Sequence, residues 1–289
     1  MYFFWQRYKF ILIPILLAIF LFGGLFVYRR VGRPKHVAIP PRPEINVTII
    51  PGWNLRQIAA DWKSKGLIKS ETELYNLVGK PAYNYKANRQ VAPMLNAVST
   101  SSFDYFFADK SKYLSYEGYF LPDTYRVYAD ATATDVIKKV LNHLDEEITP
   151  EMRAEIERQH KSFSEILTMA SVVEKEAPTS DSMGMVADIF WRRLHSGWSL
   201  QSCATINYIT GKNDPAASAK DIQIDSLFNT YKYPGLPLGP ISNPSFNAIK
   251  ATIYPIKNDY WYFMSGKDGQ MHFAKTLDEH NRNVYKFLR

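Results

Sequence analysis

The chain has 289 residues, of which 46% are apolar and 22% are charged. This composition predicts a folded protein with a sizeable core, arranged as one large domain or two smaller ones. The single cysteine, Cys203, excludes an internal disulfide framework and a cysteine-based zinc site. No two of the six histidines have the spacing of a helical metal pair, so we expect no metal centre.

The net charge of +7 is concentrated at the N-terminus. Residues 1–44 contain one acidic residue, Glu44, and seven basic residues: Arg7, Lys9, Arg29, Arg30, Arg33, Lys35 and Arg42. Only one unit of the net charge of +7 therefore remains for residues 45–289. Because a phosphate-binding surface needs clustered positive charge, this distribution argues against nucleic acid and other polyanions as partners of the folded region.

An uncharged apolar stretch runs from Phe10 to Tyr28. As a helix it would approximately span the hydrocarbon layer of a bilayer, so it predicts a transmembrane anchor over residues 10–28 after a cytoplasmic tail over residues 1–9. The alternative is a cleaved signal peptide. Its apolar stretch is normally shorter, and Arg29 and Arg30 follow here in place of a small-residue cleavage site, so we favour the anchor.

Several prolines follow the predicted anchor, and we place a semi-rigid, Pro-rich linker at residues 29–44. Basic residues flank the anchor on both sides, and more of them follow it than precede it. Counted literally, the positive-inside rule keeps the large C-terminal region in the cytoplasm. Long domains, however, translocate largely regardless of flanking charge, so the local count does not fix the orientation.

The region after the linker begins as a small module of one strand and two helices. Alternating residues over Ile45–Ile50 predict the strand, and Asn54 is the predicted cap of the first helix. Ser70 and Glu73 have the spacing of a capping box for the second helix. Residues 79–115 show no clear periodicity.

The rest of the chain mixes helical patterns with a short hairpin, which predicts the α+β class. Proline and glycine indicate loops over Ser226–Pro244. An aromatic strand over Tyr260–Met264 and a second strand over Met271–Phe273 flank a turn. Helices are predicted over residues 135–144, 150–159, 163–177, 181–195 and 276–288.

The helix that begins after Ser162 carries a carboxylate on its apolar face. Ser162 and Glu165 form a predicted capping box, and Pro178 requires the helix to end near Ala177. At 100° per residue, Glu174 falls inside the stripe formed by the apolar side chains. The two neighbouring charged residues fall outside that stripe: Lys175 and Glu176.

Burial raises the pKa of a carboxyl group, which lets it hold and donate a proton near neutral pH, so Glu174 is a candidate general acid/base. The alternative is a structural ion pair of Glu174 with Arg192 or Arg193, which the periodicity allows equally well. Residues two apart on a helix do not face each other, so Glu174 and Glu176 are not a catalytic dyad. A glycosidase with two carboxylates would need its second group elsewhere, with three candidates: Glu117, Asp123 and Asp225.

Four ordered motifs resemble the YceG-like family of membrane-bound endolytic murein transglycosylases: MASVVEKEAP, RRLHSGWSLQS, NTYKYPGLPLGPISNPS and HFAKTLDEHN. The resemblance implies a LysM-like subdomain over residues 45–115 and an extracytoplasmic catalytic domain over residues 116–289. It also implies internal cleavage of nascent peptidoglycan at the β-1,4 bond, leaving 1,6-anhydro-N-acetylmuramic ends and terminating strand elongation. No metal or organic cofactor is implied, and the implied partners are glycan strands and cell-wall synthases.

The resemblance also assigns residues. It implies that the catalytic glutamate is the first Glu of the V-E-K-E motif, Glu174, which acts alone because the 6-hydroxyl of the sugar is the nucleophile. The implied groove residues are Gln201, Asn229, Thr230, Tyr231, Glu117, Tyr119 and His272. For Gln201 and Asn229 a purely structural role in a loop is an equal alternative.

The sequence departs from the family pattern in three places, one of which is Leu238, where the family usually has a proline. Cys203 stands where the family commonly has an acidic residue, and residues 79–113 lack the usual second half of the LysM-like region. A rival interpretation is therefore a membrane-anchored protein that binds glycan or a wall synthase without catalysis. Grooves and aromatic side chains would serve that function equally well.

Overall fold

The computed structural model describes residues 2–31, 41–95, 103–214 and 216–288. The chain divides into two compact units, Met1–Arg42 and Pro43–Arg289. Most of the predicted Pro-rich linker, residues 32–40, lies outside the described residues.

The first unit contains the helix α1 (Tyr2–Val31). Its segment Phe10–Arg30 has a mean hydropathy of 2.9 and is long and apolar enough to cross a membrane. The predicted N-terminal apolar helix is thus confirmed. Its placement in a membrane, and the cytoplasmic tail over residues 1–9, remain predictions.

The second unit is a mixed α+β fold, as the sequence predicts. Its strands form two antiparallel pairs and comprise β1 (Glu44–Thr48), β2 (Thr124–Tyr128), β3 (Tyr262–Ser265) and β4 (Met271–Ala274). Its helices are α2 (Leu55–Ser64), α3 (Glu71–Val78), α4 (Asp104–Ala108), α5 (Ala133–Glu147), α6 (Pro150–Arg158), α7 (Phe163–Glu176), α8 (Ser180–His195), α9 (Cys203–Thr210), α10 (Phe246–Ile253) and α11 (Leu277–Leu288).

Strand β1 pairs antiparallel with β2, with Glu44 opposite Tyr128 and Thr48 opposite Thr124. The first strand of the N-terminal module is therefore completed by a strand from the region predicted to be catalytic. Residues 43–289 also share one hydrophobic core. A LysM-like subdomain is not confirmed by this arrangement, and the boundary at residue 115 stays a prediction.

Helices α7, α8 and α10 pack against one another in the middle of the second unit. The apolar face of α7 is fully buried, including Ile166, Leu167 and Ala170. Polar contacts add to this packing, because Ser171 on α7 accepts the backbone N–H of Ile241 through its hydroxyl oxygen at 3.0 Å. These contacts hold the C-terminal end of α7 in a fixed position.

Two of the three predicted helix caps form as expected. Asn54 caps α2 in a complete capping box with Gln57, and Ser162 does the same for α7 with Glu165. The predicted box at Ser70 is wrong, since the Ser70 side chain makes no capping hydrogen bond. Glu73 instead accepts the backbone N–H of Lys69 at 2.8 Å, one residue before the expected partner.

A tight loop at Gly118 brings the N-terminal module against the loop before α10. Gly118 has φ +89°, and a Cβ placed there would lie 2.6 Å from Cβ of Pro240. The amide oxygen of Asn243 accepts the N–H of Gly118 at 2.9 Å and that of Phe120 at 3.0 Å. The absence of a side chain at Gly118 thus permits the close approach of the two segments.

A Gly118→Ala variant is expected to lose about 2–4 kcal/mol of unfolding free energy, because it adds a clash to an unfavourable φ. Gly66→Ala is the matched control: Gly66 has φ +75°, but a Cβ there meets nothing within 4 Å. The control is expected to lose only about 1 kcal/mol. Denaturant unfolding measures both values, and equal losses would contradict the clash.

Candidate active site

A cavity of about 780 Å³ lies between the turn before α2, the end of α7 and the helix α9. Lys175 and Glu176 line it from α7, and Trp53 lines it from the turn. From α9 and the loop after it come Cys203, Ala204, Asn207, Tyr208 and Asp214. The cavity is polar for the most part and large enough to hold more than one sugar ring.

A second cavity of about 360 Å³ adjoins the first. It is lined by Arg193 of α8, Gln201, Tyr262 of β3 and His280 of α11. The two cavities share Glu176 and Cys203. The two cavities therefore meet at Glu176 and Cys203, and together they are called the groove.

The carboxyl group of Glu176 is the titratable group at this junction. The hydroxyl of Ser202, at the N-terminus of α9, donates a hydrogen bond to Oε1 of Glu176. Desolvation raises the pKa of Glu176 and outweighs the opposing effects of the Ser202 hydrogen bond and of Arg193. At 100° per residue, Glu176 falls off the apolar face of α7. In the structure its carboxyl group is nevertheless desolvated, because the start of α9, from a later part of the chain, covers it.

Glu174 is also half-buried, but its carboxyl group is occupied elsewhere. Its Oε2 accepts the backbone N–H of Ser245 at 3.0 Å and the Ser245 hydroxyl at 2.6 Å. Ser245 is the N-cap of α10, so the carboxylate also interacts favourably with the positive end of that helix. Glu174 is not among the residues that line the two cavities.

The alternative interpretation of Glu174, an ion pair with Arg192 or Arg193, is not seen among the described residues. Arg192 pairs instead with Asp188, one turn earlier on α8, at 3.0 Å. Arg193 donates to the backbone carbonyl of Trp261 at 2.6 Å and to that of Leu200 at 3.1 Å. Arg193 thereby supports the wall of the smaller cavity, where it stabilises the ionised form of Glu176.

Glu117 lies beneath the larger cavity and is only 1% exposed. Its carboxyl accepts the N–H of Leu55 at 3.0 Å, the Asn243 amide at 2.9 Å and the Tyr208 hydroxyl at 3.1 Å. Burial raises the pKa of Glu117 to about 8, because the loss of hydration outweighs these hydrogen bonds and the nearby Arg56. Glu117 thus joins α2, α9 and the loop before α10 under the floor of the cavity.

The three predicted site residues at 229–231 have different surroundings. Asn229 and Thr230 hold neighbouring loops in place, and Tyr231 lies next to the groove. Asn229 is fully buried, and its amide donates to two loop carbonyls, at 2.9 and 2.8 Å. Thr230 accepts the backbone N–H of Ser202 at 3.1 Å and so positions the partner of Glu176. The hydroxyl of Tyr231 lies 3.0 Å from Sγ of Cys203, which lines both cavities.

The remaining predicted site residues are spread over the unit. Gln201 lines the smaller cavity, so the structure brings it to the groove. Its backbone has a positive φ of +53°. Tyr119 is 1% exposed, packs against Phe107 and does not reach the groove. His272 stacks on Phe287 with ring centroids 3.5 Å apart and lies outside the lining of both cavities.

Sequence reasoning missed the residues that hold the groove together. Asn243 bonds Gly118, Phe120, Glu117 and the carbonyl of Trp53. Ser245 determines where the carboxyl group of Glu174 points. The only available signal was the position of both residues in a Pro-rich loop, which marks a turn but not its partners.

Comparison with known proteins gives this fold a family. The model of the YceG-like family matches residues 34–286. The chain belongs to the YceG-like family. A solved structure of a yceG-like protein from Listeria monocytogenes is 32% identical, has a TM-score of 0.68 and aligns over 82% of this chain and 75% of its own.

Two relatives of this YceG-like protein carry the name endolytic murein transglycosylase. The one from Bacillus subtilis (strain 168) is 35% identical over 173 residues, which are 60% of this chain and 48% of the relative. The one from Streptococcus pneumoniae (strain D39) is 34% identical over 174 residues, which are 58% of this chain and 31% of the relative. The chain thus matches about half, or less, of the length of these relatives.

Proposed function

We propose that this YceG-like protein is an endolytic murein transglycosylase that cuts glycan strands within the groove at Glu176. The observation that carries the proposal is a desolvated carboxyl group at the junction of two cavities, in a chain similar to proteins of that name. A single carboxyl group is sufficient for this reaction. The 6-hydroxyl of the N-acetylmuramic acid supplies the nucleophile.

The proposed reaction consumes no water. The carboxylic acid donates its proton to the glycosidic oxygen as the bond from the anomeric carbon to that oxygen breaks. The 6-hydroxyl oxygen of the same sugar then bonds to the anomeric carbon, and its proton returns to the carboxylate. The products are a 1,6-anhydro end and a free 4-hydroxyl, so each cut ends the elongation of a strand.

Two glutamates compete for the proton-transfer role. The sequence favours Glu174, whose carboxyl lies beside the groove but accepts two hydrogen bonds from Ser245. The geometry favours Glu176, which lines both cavities and whose pKa desolvation raises. We assign the role to Glu176 and give Glu174 the role of fixing α7 against α10.

The location that suits this substrate is the outer face of the cell membrane. The helix α1 would act as a single-pass anchor, and residues 43–289 would lie outside the cytoplasm, where they could also meet wall synthases. This orientation follows the family resemblance and opposes the local count of flanking charges.

Digestion of uncrosslinked glycan strands tests the function. The full-length protein in detergent is expected to release fragments whose new muramic ends are 1,6-anhydro, 18 mass units lighter than hydrolysed ends because water does not take part in the cut. Cleavage within strands should release fragments of many different lengths from the start of the reaction. Mass spectrometry separates the outcomes: hydrolysed ends would contradict the reaction, and binding without products would support the non-catalytic rival.

A further inference from the structure

An aromatic pair, Trp198 and Trp261, lies beside the smaller cavity. Their ring centroids are 5.0 Å apart at an angle of 39°, and Trp198 also lies 6.2 Å from Tyr262. Tyr262 lines the smaller cavity, as does Gln201 on the loop that carries Trp198. The aromatic surface is therefore continuous with the groove that contains Glu176.

The pair is held firmly in place. The guanidinium of Arg192 lies 4.9 Å from the Trp261 ring, so one side of that ring is covered. The guanidinium of Arg193 donates to the backbone carbonyl of Trp261. The backbone N–H of Trp198 in turn donates to the backbone carbonyl of Arg193 at 2.8 Å. Trp198 nevertheless remains 44% exposed. An exposed indole with a fixed orientation is suited to binding a flat apolar surface with little loss of side-chain entropy.

We propose that Trp198, supported by Trp261, is a stacking subsite for a pyranose ring of the glycan strand, beyond the smaller cavity. This inference rests on the proposed function, which places the strand in the groove. One face of a pyranose ring carries mainly C–H groups, which pack on the electron-rich face of an aromatic ring. The subsite makes binding depend on strand length, because short fragments fill the groove at Glu176 without reaching Trp198.

Binding of strand fragments of graded length tests the subsite. Full-length protein carrying Glu176→Gln, which should bind without cutting, is titrated with uncrosslinked glycan fragments by calorimetry. Adding Trp198→Ala is expected to weaken binding of the longest fragments by about 5- to 10-fold and to leave the shortest bound fragment unchanged. Trp198→Phe, which keeps an aromatic face, is expected to restore most of the lost affinity.

Tyr254→Ala is the matched control, because Tyr254 is 43% exposed but lines a cavity that shares no residue with the groove. It is expected to bind fragments of every length as the parent does. If the Trp198→Ala variant and its parent bind fragments of every length equally well, the subsite is overturned. The proposed function would survive that result, provided that the wild type cuts strands. Absence of both binding and cutting in the wild type would instead overturn the proposed function and the subsite with it.

Discussion

Glu176→Gln is expected to reduce the cleavage of uncrosslinked glycan strands by about 10²- to 10⁴-fold, the range that general acid–base catalysis contributes. Glutamine keeps the size of the side chain and an oxygen that can accept the Ser202 hydroxyl, but it carries no transferable proton. Strand binding should therefore survive while product formation is lost. The measurement is the initial rate of formation of anhydro ends, together with the affinity of the variant for the same strands.

Glu174→Gln is the matched comparison, two residues earlier on α7. The amide oxygen of glutamine can still accept both hydrogen bonds from Ser245, which now go to one oxygen, Oε2. The variant loses the charge at the N-terminus of α10, so the expected cost is in stability, about 1 kcal/mol. The rate should fall by less than about tenfold, in keeping with an indirect role. The reverse result, with activity lost in Glu174→Gln and kept in Glu176→Gln, would assign the proton transfer to Glu174, as the sequence predicts.

The pH dependence follows from the same geometry. Desolvation raises the pKa of Glu176, so the protonated acid that the proposed reaction requires persists to a higher pH than an ordinary glutamate allows. Activity should decline on the alkaline side as this proton is lost. In wild-type protein, a rate that stays constant as pH rises through the titration of this carboxyl would contradict its role as the acid.

Glu117→Ala is expected to remove about 3–5 kcal/mol from the free energy of unfolding, since it leaves buried donors without an acceptor. The backbone N–H of Leu55 loses its acceptor, and the Asn243 amide keeps the carbonyl of Trp53 but loses its second acceptor. Glu117→Gln retains an amide oxygen for both donors and should cost only about 1–2 kcal/mol. Denaturant unfolding of the two variants at one pH measures the difference.

Glu117 also gives stability a pH dependence with a definite sign. Its pKa is about 8 in the folded protein against 4.5 as the ordinary value, so the folded state retains a proton that the unfolded state releases. Stability from this group is complete below pH 4.5 and decreases as pH rises toward 8, by up to about 5 kcal/mol. The slope should disappear in Glu117→Gln, and an unchanged slope there would show that another group causes it.

The sequence predicted the helices of this fold better than its contacts. Capping residues and periodicity are local properties, so Ser162 and Asn54 identified the starts of α7 and α2. Pairing between β1 and β2 joins residues 76 to 84 positions apart, and no local pattern identifies that partner. The module at residues 45–115 therefore looked more independent in the sequence than it is in the structure.

The site shows the same division between local and distant information. Helical periodicity located the α7 segment that reaches the groove, but it placed Glu174 on the buried face and Glu176 off it, whereas in the structure desolvation raises the pKa of Glu176. That difference depends on Ser202 and Ser245, which arrive from later parts of the chain. Asn229 and Tyr119, both predicted to line the groove, are instead buried because their own loops and aromatic neighbours enclose them.

The pairing of β1 with β2 has a consequence for synthesis of the chain. Ribosomes complete β1 long before β2 exists, so the edge of β1 has no partner while α2 and α3 are already able to form. Closure of this long loop is entropically costly and slow compared with helix formation. The N-terminal part of the second unit therefore stays incompletely assembled until residue 128 has emerged from the ribosome. A factor that shields an unpaired strand edge would act during that interval.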